Sequence, residues 1–70
     1  MDKRELKRQL TVHAKGSAVI SRLKIEEFLG IGSNRAYELL NGLEVVVIGD
    51  RKKYFISDVA ERILERCSKT

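Results

Sequence analysis

The spacing of apolar residues changes character near the middle of the chain. Leu6, Leu10 and Ala14 recur every four residues, the narrow stripe of a helix that packs on one side. Asp2 followed by Glu5 gives a box-like start with Asp as the cap. His13 lies beside the stripe, and Gly16 stands where a C-terminal glycine belongs. The pattern predicts a first helix over 2–15. Ala18-Val19-Ile20 reads as a bridge or brief strand. Ser21 can cap a second helix, in which Ile25, Phe28 and Leu29 follow the i, i+3, i+4 rule and which Gly30 stops. After Ile31 and Gly32, Ser33 is the cap candidate of a third helix. Ala36, Leu39 and Leu40 form its inward face, and Asn41-Gly42 ends it.

From Leu43 onward the signal is β. Leu43 to Ile48 is rich in valine, Gly49-Asp50-Arg51 marks a turn, and Tyr54-Phe55-Ile56 is a second β-prone run. Together they predict a hairpin over 44–56, with Val45–Ile48 as a core strand. Ser57 or Asp58 caps a closing helix over 57–67. Its buried face is Val59, Ile63 and Cys67 with Ala60 and Leu64, while Arg62, Glu65 and Arg66 face water. Ser68-Lys69-Thr70 reads as a frayed tail. The expected class is mainly α with a small β-hairpin, an α+β domain.

Length limits the architecture. Seventy residues make one domain, 1–70, and a chain of this size buries only about 60% of its unfolded surface. The longest apolar run, Val45-Val46-Val47-Ile48, is far too short to span a bilayer. The charged start does not read as a secretory signal. The expected setting is cytoplasmic and reducing, since one cysteine makes no intrachain disulfide. One histidine and one cysteine do not make a structural zinc site either, so neither metal nor cofactor is expected.

The net charge of +4 is unevenly spread. Residues 1–24 hold seven basic and two acidic groups, a net of +5. Residues 25–50 hold one basic and five acidic groups, a net of −4. Residues 51–70 hold six basic and three acidic groups, a net of +3. Cationic outer thirds around an acidic middle suit a polyanionic partner.

Two short helices around a glycine-bearing turn form a helix-turn-helix signature, and Ser21–Asn41, SRLKIEEFLGIGSNRAYELLN, matches it. The segment from Ile20 to Leu64 resembles the winged helix-turn-helix modules of the excisionase and MerR-like families. The resemblance rests on Phe28-Leu29-Gly30-Ile31, Ala36-Tyr37-Glu38-Leu39-Leu40, Ile48-Gly49 and Asp58-Val59-Ala60, with VVVIGDRKKYFI as the wing. It is similar to small DNA-binding proteins of phages and integrative elements. Three features depart from that pattern. Glu26 stands where a small residue is usual, no proline precedes the wing, and the reading helix is poor in positive charge.

The resemblance implies a DNA-binding, nucleoid-associated protein, either a recombination directionality factor or a small transcription regulator of a mobile element. Its second motif helix, 33–41, would enter the major groove. Ser33, Asn34, Arg35, Tyr37 and Glu38 are the base-reading candidates, with Arg35 suited to guanine, Asn34 to adenine and Glu38 to cytosine. Arg22, Lys24, Arg51, Lys52 and Lys53, with Lys3, Arg4, Lys7 and Arg8 of the first helix, are the phosphate-contacting candidates. Double-stranded DNA is the expected partner, joined by a recombinase or by further copies on repeated sites. The alternative is a protein-interaction module with the same fold and no DNA binding.

No catalytic reading competes with these. Gly30-Ile31-Gly32 lacks the Lys and Ser/Thr of a phosphate loop, and His13 with Cys67 has no orienting third group. Neither a small-molecule substrate nor a membrane partner is expected, because the first helix has a narrow stripe without aromatic anchors.

Overall fold

Asp2 and Ser21 each open a helix with a side-chain oxygen. The computed structural model describes residues 2–67, and there α1 runs Lys3–His13 with the Asp2 carboxylate accepting from the Glu5 N–H at 2.8 Å. Only half of a capping box forms, because the Glu5 carboxylate turns forward to Arg8. α2, Arg22–Leu29, takes Ser21 as its cap, whose Oγ accepts from the Lys24 N–H. Gly30 closes α2 at φ +67.

Three helix ends differ from expectation. α1 stops at His13, and the left-handed residue that closes it is Lys15, at φ +59. The Gly16 N–H donates to Thr11 and the Lys15 N–H to Val12, the crossed pair of bonds that ends helices in this manner. Gly16 therefore lies one position past its expected place. α3, Ser33–Leu40, has Gly32 as its cap and no side-chain capping bond. The chain enters the helix at Gly32, so Ser33 falls in the first turn, correcting its assignment as cap. α4, Ile56–Cys67, begins before Ser57 and Asp58. Both therefore fall inside the first turn, and the Ile56 N–H that opens the helix donates to the Ala18 carbonyl at 3.0 Å.

The expected hairpin is part of a three-stranded antiparallel sheet in the order β1-β3-β2, with β1 Val19–Ser21, β2 Val45–Ile48 and β3 Arg51–Phe55. Ile56 leaves the sheet for α4. The brief apolar stretch after α1 thus becomes the third strand, with Ile20 opposite Tyr54. The hairpin loop is only Gly49-Asp50, since Arg51 pairs with Ile48. Gly49 has φ +66 and Asp50 is not left-handed, the sign pattern of a tight turn with glycine first.

Leu6 and Leu10 of α1, Ile20 of β1, Ile25 of α2, Leu40 of α3, and Ile56, Val59, Ala60 and Ile63 of α4 make the core, with Phe28, Leu29, Leu39, Tyr54 and Leu64 packed at its margin. Four helices and β1, with Tyr54 of β3 at the margin, thus share one apolar centre. β2 is outside it, contrary to its expected core role. Val45, Val47 and Ile48 are 42%, 64% and 53% exposed, because β3 lies between β2 and the core and takes up the near side of the sheet. The tail 68–70 and the Cys67 side chain lie outside the described residues.

Candidate nucleic-acid interface

α3 buries Ala36 and Leu40 and half-buries Leu39. At about 100° per residue, these positions turn Asn34 and Glu38 to the crown of the helix and set Arg35 and Tyr37 on opposite flanks. Ser33, Asn34, Arg35, Tyr37 and Glu38 are all exposed. Tyr37 lines a groove with Arg22, Val45, Lys52 and Tyr54 between α3 and the hairpin. Arg35 and Glu38 line another with Ile63 and Arg66, toward α4. The five candidates therefore share one helix but face two directions. Arg35 is not held by Glu38, and among the described residues it has no ion-pair partner.

Arg22 is tied down. Its guanidinium pairs with Glu26 and sits 4.5 Å from the centroid of the Tyr37 ring, a cation–π distance. Glu26 is 17% exposed and resolves its burial through this pair. Arg22 thus braces α2 against α3 and is not a free cation. Lys24 approaches Glu27 at 3.8 Å, and Glu27 also faces His13 at 3.8 Å. The His13 ring packs edge-on against Phe28, with centroids 5.5 Å apart, so it lies at the core margin as its place beside the stripe suggests.

The hairpin cations do not form one cluster. Strand alternation sends Lys52 to the side of Tyr54 and Val45, and Lys53 to the side of Ser21 and Val46. Lys52 lines the groove shared with Tyr37. Lys53 lines a recess with His13, Lys15 and Lys24. Arg51 reaches both. Among the described residues Arg51, Lys52 and Lys53 have no carboxylate partner.

On α1, Arg8 holds Glu5 through two bonds of 2.7 and 2.9 Å, and Lys3 faces Glu61 of α4 at 3.8 Å. Arg4 and Lys7 are unpaired among the described residues. α1 packs chiefly on α4 and also on α2 and β1.

Sequence reasoning missed one residue that shapes this surface. Arg62 of α4 does not face water. It is 21% exposed, and its Nη1 donates to the carbonyls of Leu39 and Asn41 at 2.8 Å each. Those are among the acceptors left open at the end of α3. The available signal was weak, because the acceptors are backbone carbonyls of a kind that every helix end leaves open.

Among the described residues no three His, Cys, Asp or Glu side chains are grouped to hold a metal ion, and no helix is long and apolar enough to cross a membrane. Family models, curated proteins and solved structures give no match to this chain.

Proposed function

We propose that the domain is a winged helix-turn-helix that binds double-stranded DNA, with α3 in the major groove and the β2–β3 hairpin as a phosphate-contacting wing. The observation that carries this reading is the division of charge. Five of the ten acidic side chains, Glu5, Glu26, Glu27, Glu61 and Glu65, lie in internal ion pairs, whereas on α3 and the hairpin tip Arg35, Arg51, Lys52 and Lys53 are without ion-pair partners among the described residues and outnumber the unpaired Glu38 and Asp50 beside them. Unpaired cations flanking an exposed helix suit a polyanion, whose condensed counterions they displace. A module of this size covers about 600–1,000 Å² of contact, so one copy binds modestly. Cooperative binding to repeated sites, or alongside a recombinase, follows from that limit. A role as an excisionase-like directionality factor or as a regulator fits equally.

Amide chemical shifts followed during titration with a random-sequence duplex test the reading. Shifts at Ser33–Glu38 and Arg51–Lys53 that fade with added salt support it, and their absence at low salt overturns it. A second reading, a protein-interaction module, is favoured by the crown of α3, where Asn34 and the anionic Glu38 stand with no cation between them. Salt-insensitive binding to a protein, with no duplex binding, would select it.

A further inference from the structure

The free edge of β2 carries the next inference, which does not rest on the DNA reading. The Ile56-to-Ala18 bond is a ladder bond of the β1–β3 pair. Bonded pairs alternate along an antiparallel ladder, so Ile20 and Tyr54 form the next bonded pair. Tyr54 therefore directs its backbone groups to β1, and Lys53 and Arg51 direct theirs to β2. Across the hairpin, Val46 and Ile48 bond to β3, while the N–H and C=O of Val45 and Val47 point outward. At the other edge the Val19 N–H is taken by the Ser17 hydroxyl. The edge at β2 has no such cover among the described residues.

Exposed edges are ordinarily blunted by lysine, proline or a bulge. β2 is Val-Val-Val-Ile, with no charge, no proline and continuous pairing to β3. Its outward backbone groups belong to Val45 and Val47, and both side chains are exposed.

We propose that this edge pairs with β2 of a second copy, antiparallel about a two-fold axis at Val46. In that register Val45 bonds Val47 of the other copy and the reverse, and the two Val46 residues face each other. All four outward backbone groups of each strand are then used. The same register sets Ile48 opposite Glu44 of the other copy, and Ile48 already lies beside Arg51. Glu44 and Arg51 each have no ion-pair partner among the described residues. Two strand spacings, roughly 9–10 Å, separate them across the seam, within the combined reach of the two side chains. The ends of the edge are complementary in charge and its centre is apolar, which selects a second copy as the occupant. A four-residue seam falls below the about 1,200 Å² of standard stable interfaces, so the dimer is weak and concentration-dependent.

Sedimentation equilibrium from about 10 µM to 1 mM, combined with amide hydrogen exchange at both limits, tests this. The expected result is a monomer–dimer equilibrium in which the Val45 and Val47 amides gain protection with concentration. Val46 and Ile48 amides are protected throughout. Val47→Lys, at an exposed position, raises the dissociation constant at least tenfold, whereas Val12→Lys on α1 leaves it unchanged. A wild-type chain monomeric at 1 mM overturns the proposal. So does a dimer in which the Val45 and Val47 amides stay unprotected, or one that Val47→Lys leaves intact. The exchange measurement on the unaltered chain decides the matter even if the variant folds poorly.

Discussion

Arg62 and Leu39 are 23 residues apart in the chain and 2.8 Å apart across the α3–α4 junction, guanidinium to carbonyl. The same nitrogen reaches Asn41 at 2.8 Å. A cation at a helix C-terminus is favoured by the helix dipole as well as by the bonds. Replacing it by Met keeps the stem and removes the donors. Arg62→Met is expected to destabilise the domain by about 1–2 kcal/mol, read as a lower urea midpoint at unchanged slope. Arg62→Lys recovers part of the loss.

Lys15 holds a left-handed backbone at φ +59, a conformation that L side chains adopt at a cost. Glycine relieves that strain, although it also loosens the unfolded chain. Lys15→Gly is expected to stabilise the fold by about 0.5–1 kcal/mol, seen as a raised denaturation midpoint.

The alternation of β3 separates Lys52 from Lys53, and only Lys52 shares the groove of Tyr37. If α3 and the hairpin grip one duplex, Lys52→Ala weakens binding more than Lys53→Ala. It also lowers the slope of log affinity against log salt by about one. Fluorescence anisotropy at several salt concentrations measures both. Equal losses would show that the duplex contacts both sides of the hairpin.

The Glu5 carboxyl is held below its ordinary value of 4.5 by its hydrogen bond from Arg8, which outweighs the opposing desolvation, with the charge of that guanidinium and a hydrogen bond from Gln9 adding smaller contributions. A carboxyl depressed in the folded state binds its proton more readily in the unfolded one. The stability it lends is present above the ordinary value and is lost as pH falls from 4.5 through the lower folded value. Arg8→Ala should return the Glu5 titration toward 4.5, followed by carboxyl carbon shifts, and flatten that part of the pH–stability curve.

The helices were legible because each carries its own punctuation. Gly30, Asn41-Gly42 and the stripes of α2, α3 and α4 are local signals, and the helices lie over them. What was not legible depends on partners distant in the chain. β1 is a strand only because Tyr54 stands opposite Ile20. A run of four apolar residues predicts burial, yet β2 is exposed because strand order, not composition, decides which strand lies at the edge. The phosphate-contacting set was named by residue type. Its division into a pinned Arg22, a split Lys52 and Lys53 and an unpaired Arg51 follows from side-chain direction and from where the glutamates fall. Arg62 escaped because its acceptors are backbone groups, which a sequence does not distinguish.

The seamless passage from β3 into α4 limits where this chain can change length. Ile56 is bonded to the sheet through Ala18 and is at the same time the first residue of the helix. One residue inserted between Phe55 and Ile56 turns the helix by about 100° relative to the strand. That rotation carries Val59 and Ile63 away from the core and Arg62 away from α3 at a stroke. The Gly49-Asp50 loop has no such constraint, since added residues there only lengthen an exposed tip. Insertions among variants of this domain should therefore collect at the tip of the hairpin and be absent from its base.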